Sequence, residues 1–139
     1  MVSNPSDAEV RDLLQRYRRI AVVGLSDKPD RPSHGVAAYL QRAGYDIIPV
    51  NPMSDEALGV RAVDALSQIE QPVEIVDVFR RADDVPLVVD SAIAAGAKVL
   101  WLQLGIVNET AAQRAREAGM IVIQDRCLKV EHARVLGRG

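Results

Sequence analysis

Apolar residues fall along the chain in two alternating kinds of run. Short blocks rich in Val and Ile, namely IAVVG ending at Gly24, YDIIPV ending at Val50, EIVDVF starting at Glu74, AKVLWL ending at Leu102 and MIVIQ ending at Gln124, suit strands covered on both faces. Between them apolar positions recur at helical spacing: Val36, Tyr39, Leu40 and Ala43, then Val85, Val88, Val89, Ala92 and Ile93, then Ala111, Ala112, Ala115 and Ala118. Ala43-Gly44, Ala95-Gly96 and Ala118-Gly119 each close such a segment, because glycine suits the left-handed position just past a helix end. The pattern predicts strands at about 20–24, 46–50, 74–79, 98–103 and 120–124. It also predicts a first helix from Ser6 to Tyr17 with Val10, Leu13, Leu14 and Tyr17 on one face, a short helix at Asp64 to Ile69, and a short helix in DRCLKVEHARVL.

Strands alternating with helix-length crossovers pair in parallel through right-handed connections. The expectation is therefore an α/β fold, a Rossmann-like three-layer sandwich with a mainly parallel sheet of about five strands and helices on both faces. No linker or low-complexity stretch divides the sequence, so residues 1–139 are expected to form one domain.

Composition narrows the partners. Hydrophobic residues make up 48% of the 139, but no apolar run approaches the ~20 residues of a membrane helix, and the start MVSNPSDAEVRD is polar. Neither a membrane span nor a signal peptide is expected. The lone Cys127 and two distant histidines, His34 and His132, give no disulfide and no metal-ligand spacing, which fits a reducing, cytoplasmic setting. A net charge of −2 argues against nucleic acid as a partner, and the RYRR run from Arg16 reads as a solvated helix end.

In an open parallel sheet, ligands bind outside the carboxyl ends of the strands. GLSDKPDRPSHG follows the first strand: Gly24 ends the strand, Ser26, Lys28, Arg31 and Ser33 populate the loop, and a helix then begins. Amides at that helix start, two hydroxyls and two cations would accept a phosphate. Against this, Gly24 serves the turn alone and Ser33 simply caps the helix. The dinucleotide fingerprint G-x-G-x-x-G is absent, and Val50, Asn51 and Pro52 stand where a ribose-binding carboxylate is expected, so ordinary NAD binding is disfavoured. After the third strand, Val78 and Phe79 offer an apolar wall and Arg80 a phosphate partner; strand-end packing explains Phe79 equally well. Gln103, Leu104, Gly105 and Asn108 follow the fourth strand as candidate lining for the arm of an extended ligand, Gly105 by allowing close approach, while Asn108 is equally explained as a helix N-cap. Cys127, flanked by Arg126 and Lys129 after the fifth strand, is either a thiol facing the ligand edge or an inert half-buried residue. No set of nucleophile, base and orienting group is visible, and no catalytic or metal-ligating residue is assigned.

IAVVGLSDKPDRPSHGVAAYL, GYDIIPVNP, VDVFRR and GAKVLWLQLGIVNETAAQRAREAGMIVIQDRCLKVEH, over about residues 9–135, together resemble the small stand-alone CoA-binding proteins. That domain is similar to the CoA-binding N-terminal domain of the succinyl-CoA synthetase alpha subunit. The resemblance implies coenzyme A as ligand. Gly24, Leu25, Ser26, Lys28 and Arg31 would lie at its phosphates, and Val50, Asn51, Pro52, Val78, Phe79 and Arg80 around its adenosine. It does not imply synthetase activity, because neither His34 nor His132 matches the phosphorylated histidine of the synthetase. The expected function is binding of CoA or an acyl-CoA. The alternatives are a small CoA- or nucleotide-dependent enzyme using Cys127, and a module sensing CoA or NAD through a protein partner. Whether the chain acts alone, as a homo-oligomer or with a partner stays open.

Overall fold

The computed structural model describes residues 2–137. Five strands, β1 (Arg19–Val23), β2 (Asp46–Val50), β5 (Ile75–Val78), β6 (Val99–Leu102) and β7 (Ile121–Ile123), form one sheet in the order β2-β1-β5-β6-β7. Every pair in it is parallel, with Ile20 opposite both Ile47 and Ile75, and Trp101 opposite both Asp77 and Ile123. The architecture is the expected Rossmann-like α/β sandwich, and each predicted strand lies within about a residue of the observed one.

Helices cover both faces. On one side α1 (Asp7–Arg16), α2 (Pro32–Arg42) and α5 (Leu128–Val135) enclose Leu13, Leu14, Ile20, Val22, Leu40, Trp101 and Leu128. On the other, α3 (Val85–Ala94) and α4 (Glu109–Glu117) enclose Ala21, Val76, Val78, Val89, Leu100, Ala112 and Val122. The alternation is a direct product of strand geometry, in which successive side chains point to opposite faces. Gly44, with φ +101, ends α2 as predicted: its amide returns to Gln41 O, and the Tyr45 amide to Leu40 O at 3.1 Å, a Schellman closure repeated after α3 and α4. At the front of α1, Ser6 and Glu9 form a reciprocal capping box.

The crossover from β2 to β5 departs from the prediction. The short helix expected at 64–69 is present as a single 3-10 turn at Leu66–Gln68, and before it stands an unforeseen two-stranded hairpin, β3 (Glu56–Ala57) with β4 (Val60–Arg61). Leu58 (φ +56) and Gly59 (φ +76) both take left-handed backbone in the turn, the conformation that matches strand twist in a two-residue hairpin. This segment covers the outer edge of β2: the Val63 amide donates to Pro49 O at 3.0 Å and the Asn51 amide to Val63 O at 2.9 Å. At the opposite edge the Asn4 amide side chain imitates a strand, donating to Gln124 O at 3.0 Å and accepting from the Gln124 amide at 2.9 Å. Both exposed sheet edges are thereby occupied.

Candidate functional site

The carboxyl ends of β1, β2 and β5 converge on Gly24. Its amide donates to Val50 O at 2.9 Å, and the Phe79 amide donates to Val23 O at 2.9 Å. A Cβ on residue 24 would stand 2.6 Å from Phe79 O, and φ there is +88, so only glycine lets three strand ends approach this closely. Asn51 fixes the neighbouring loops to each other, donating from Nδ2 to Leu25 O at 2.9 Å and accepting the Met53 amide on Oδ1 at 2.9 Å. Leu25 itself is buried in the α1/α2/α5 core.

The loop between β1 and α2 folds on its own hydroxyls. Ser33 does not cap α2: it lies inside the first turn, buried, and its Oγ accepts the Ser26 amide at 3.0 Å. Ser26 Oγ in turn accepts the Lys28 amide at 3.1 Å. The N-cap position falls on Arg31, and no side chain caps the helix, which leaves its positive dipole end facing the sheet edge for an anion. Lys28 and Arg31 are exposed, and His34 sits in the first turn of α2.

Beside Gly24 opens a mainly apolar cavity of about 250 Å³ on the α3 side. Val50, Pro52, Gly24 and Arg80, expected from the sequence, line it, together with Val23, Leu66, Leu87, Val88, Asp64, Asp84 and Ser91. Much of the apolar wall therefore comes from residues not singled out as site residues in the sequence, Val23, Leu66, Leu87 and Val88, beside the expected Val50 and Pro52. Val78 is fully buried, and Phe79 packs against the opposite core; neither side chain lines the cavity. Arg80 reaches Asp84 at 4.0 Å with its guanidinium half-exposed, leaving donors for an incoming anion.

The loops after β6 and β7 form the other half of the edge. Gln103 is buried and its Oε1 accepts the Leu128 amide at 3.1 Å, so it holds the start of α5. Gly105 (φ +85) donates its amide to Asp125 Oδ1 at 2.7 Å. Asn108 caps α4 as expected, accepting the Ala111 amide at 3.1 Å, and donates to Ala82 O at 3.0 Å. Cys127 is half-buried at the head of α5. The cations beside it are turned elsewhere: Arg126 Nη1 donates to Asp125 O at 2.8 Å, and Lys129 Nζ lies 5.7 Å from the Tyr39 ring centroid.

One polar group went unnoticed in the sequence. Asp77, in the middle of the central strand, is 0% exposed, and neither carboxylate oxygen has a hydrogen-bond partner among the described residues. Burial pushes its pKa well above the ordinary carboxylate range. The signal was available: it is the lone charge inside the apolar core of EIVDVF, where an unpaired acid is costly.

Fold and site together define a Rossmann-like α/β protein with an uncapped helix start and an adjoining apolar cavity at the carboxyl edge of a parallel sheet. More narrowly, residues 18–133 match the CoA binding domain family, and the chain belongs to it. It is 54% identical over 132 residues to the uncharacterized protein YneT of Bacillus subtilis (strain 168), covering 95% of this chain and 98% of that one. Its structure is similar to a hypothetical protein from Pyrococcus horikoshii OT3, with TM-score 0.93, 38% identity and 99% of each chain covered. It is also similar to the dinucleotide forming acetyl-coenzyme A synthetase 1 of Ca. Korarchaeum cryptofilum, in complex with phosphate and ADP. There the TM-score is 0.71 and the identity 25%, over 81% of this chain and 27% of that enzyme.

Proposed function

We propose that this protein binds coenzyme A, free or acylated, across the carboxyl edge of its sheet, with residues 1–139 acting as one cytoplasmic binding unit. The observation that carries this reading is the juxtaposition of Gly24, the uncapped start of α2 and the apolar cavity between β2, β5 and α3. At about 250 Å³ the cavity is smaller than the roughly 300–1,000 Å³ of a pocket enclosing a whole drug-sized ligand, so it suits one end of an extended one. The adenine end rests against Val50, Leu66 and Val88, the pyrophosphate passes over Gly24 to the first turn of α2, and Lys28, Arg31 and Arg80 supply charge. Gln103, Gly105 and Cys127 border the far half of the edge, where the pantetheine arm would run.

Coenzyme A carries a 3′-phosphate that dephospho-CoA and NAD lack. A charge-assisted hydrogen bond to it contributes about 1.5–3 kcal/mol, roughly ten- to a hundredfold in affinity. Calorimetry should therefore rank CoA above dephospho-CoA and NAD last, and thermal shift should follow the same order. NAD binding as tight as CoA, or no binding of any of the three at millimolar concentration, would remove this function.

A further inference from the structure

We propose that Asp77 is a protonation-dependent positioning residue for the ligand edge: as a neutral acid it leaves the loops in their binding arrangement, and as a carboxylate it draws a donor out of that arrangement and weakens binding. The inference deepens the CoA reading and rests on it for its ligand. Asp77 lies one residue layer beneath three of the loops. Its register partner on β1 is Val22, two residues before Gly24. Two residues further along its own strand, Phe79 presents the carbonyl that packs against Gly24. Its register partner on β6 is Trp101, whose Nε1 donates to Arg126 O at 2.9 Å and so holds the turn that leads into Cys127 and α5.

Nothing facing Asp77 would neutralise its charge. Around it on that face, β1 offers Ile20 and Val22, β6 offers Val99 and Trp101, α1 offers Leu13 and Leu14, and α2 offers Val36, Ala37 and Leu40. The titratable groups of the same layer are already engaged elsewhere. Tyr39 Oη meets His132 Nδ1 at 2.9 Å, Tyr45 Oη donates to Leu14 O, and Glu131 pairs with Arg134 at 2.7 Å. His132 is held below its ordinary value by burial and then by the charge of Arg18, while burial pushes Tyr45 up. Cys127 packs at the rim of this core without a bond to Asp77. A carboxylate created there meets no free donor among the described residues, and an unpaired buried charge is relieved by capturing an engaged one. Of its two register partners only Trp101 carries a donor. Its capture would release Arg126 O, and with it the hold on the turn before α5.

Trp101 is the single tryptophan of the chain, so its emission reports on the indole's bond to Arg126 O without any ligand. The first measurement is a pH titration of wild-type fluorescence over the range in which the protein stays folded. One transition above the ordinary carboxylate range is expected, and it should vanish in Asp77→Asn. The second is CoA affinity against pH by calorimetry. Wild type should lose about tenfold per pH unit above the transition, because only the protonated fraction binds. Asp77→Asn should keep the acid-side affinity throughout, and comparing the two cancels titration of CoA itself. A constant Trp101 emission in the wild type overturns the proposal even if the variant does not fold, and so does an equal pH slope in both proteins. CoA failing to bind either protein, with an Asp77-dependent Trp101 transition present, refutes the CoA reading and leaves the coupling standing.

Discussion

The two faces of the sheet are built from different chemistry. Beneath α3 and α4 the buried side chains are almost all Val, Leu and Ala, and α4 presents Ala111, Ala112 and Ala115 to its surroundings. Beneath α1, α2 and α5 lie Trp101, Tyr45, Tyr39, His132 and Asp77, with ring and hydroxyl groups bonded to Arg126 O, Leu14 O and one another. The aliphatic face ends at the sheet edge in a cavity, because Val23, Val50, Leu66 and Val88 leave space that no large side chain fills. The polar-aromatic face ends in an uncapped helix start and in loops fixed by hydrogen bonds. A hydrogen-bonded layer specifies positions more narrowly than an aliphatic one, since its partners must meet in distance and angle. The comparison teaches a division of labour: one face supplies room and the other supplies placement.

The sharpest way to break the comparison is at Trp101. Trp101→Ala should cost about 3–5 kcal/mol in denaturant unfolding, and it should also free the turn before α5. Ala112→Leu on the aliphatic face is an overpacking change that should cost about 1–3 kcal/mol without altering ligand affinity. Should both variants shift affinity alike, the two faces are not distinct in role.

Gly24 joins the faces. Gly24→Ala forces an L side chain into φ +88 with its Cβ 2.6 Å from Phe79 O, a strain of about 1–3 kcal/mol. It should abolish CoA binding in calorimetry while the far-UV circular dichroism of the fold persists. Binding that survives would move the phosphate path away from this glycine.

Asp77 gives a smaller but pH-dependent effect. Burial raises its pKa in the folded state above the unfolded value, so the native protein holds this proton more tightly. Below the unfolded pKa both states are protonated and Asp77 exacts no charge penalty; stability then falls as pH rises across the interval between the two values and levels off above the folded one. Thermal unfolding curves of wild type and Asp77→Asn should therefore nearly meet at acid pH and separate towards neutral and alkaline pH, with the variant the more stable. The opposed contribution of His132 is common to both proteins and cancels. Parallel curves would show that Asp77 titrates alike in the folded and unfolded states, so that burial does not raise its pKa.

The smallest effect on the fold belongs to the exposed cations. Replacing Lys28 and Arg31 together by Ala should leave the melting temperature nearly unchanged, as surface charges contribute about 0–1 kcal/mol. It should weaken CoA binding several-fold and flatten its dependence on ionic strength. An unchanged salt series would take both cations out of the site.

Much of this was legible in the chain because the signals were local. Apolar spacing located five parallel strands and all five α-helices, and Gly44, Gly96 and Gly119 marked helix ends through a backbone conformation that needs no distant partner. Gly24 and Asn51 were found by their place after a strand, although the reason for Asn51, a bond to Leu25 O across the edge, appeared only in three dimensions. Ser33 was read as a cap and proved to be a brace for Ser26, since which amide a hydroxyl meets depends on loop closure. The hairpin over β2 was missed because Leu58-Gly59 is a weak turn signal and the segment's purpose, covering an edge, exists only once the sheet does.

The sequence by itself determined the α/β alternation, the strand positions and the glycine on which the edge turns, because each follows from the spacing of apolar side chains or from the backbone freedom of one residue. Tertiary structure alone decided that Phe79 faces the core, that Leu66 and Val88 wall the cavity, and that Asp77 is buried without a partner in register with Trp101. Those facts depend on which strands become neighbours and on the one-residue alternation between faces, so they come into being only when distant segments are brought into register.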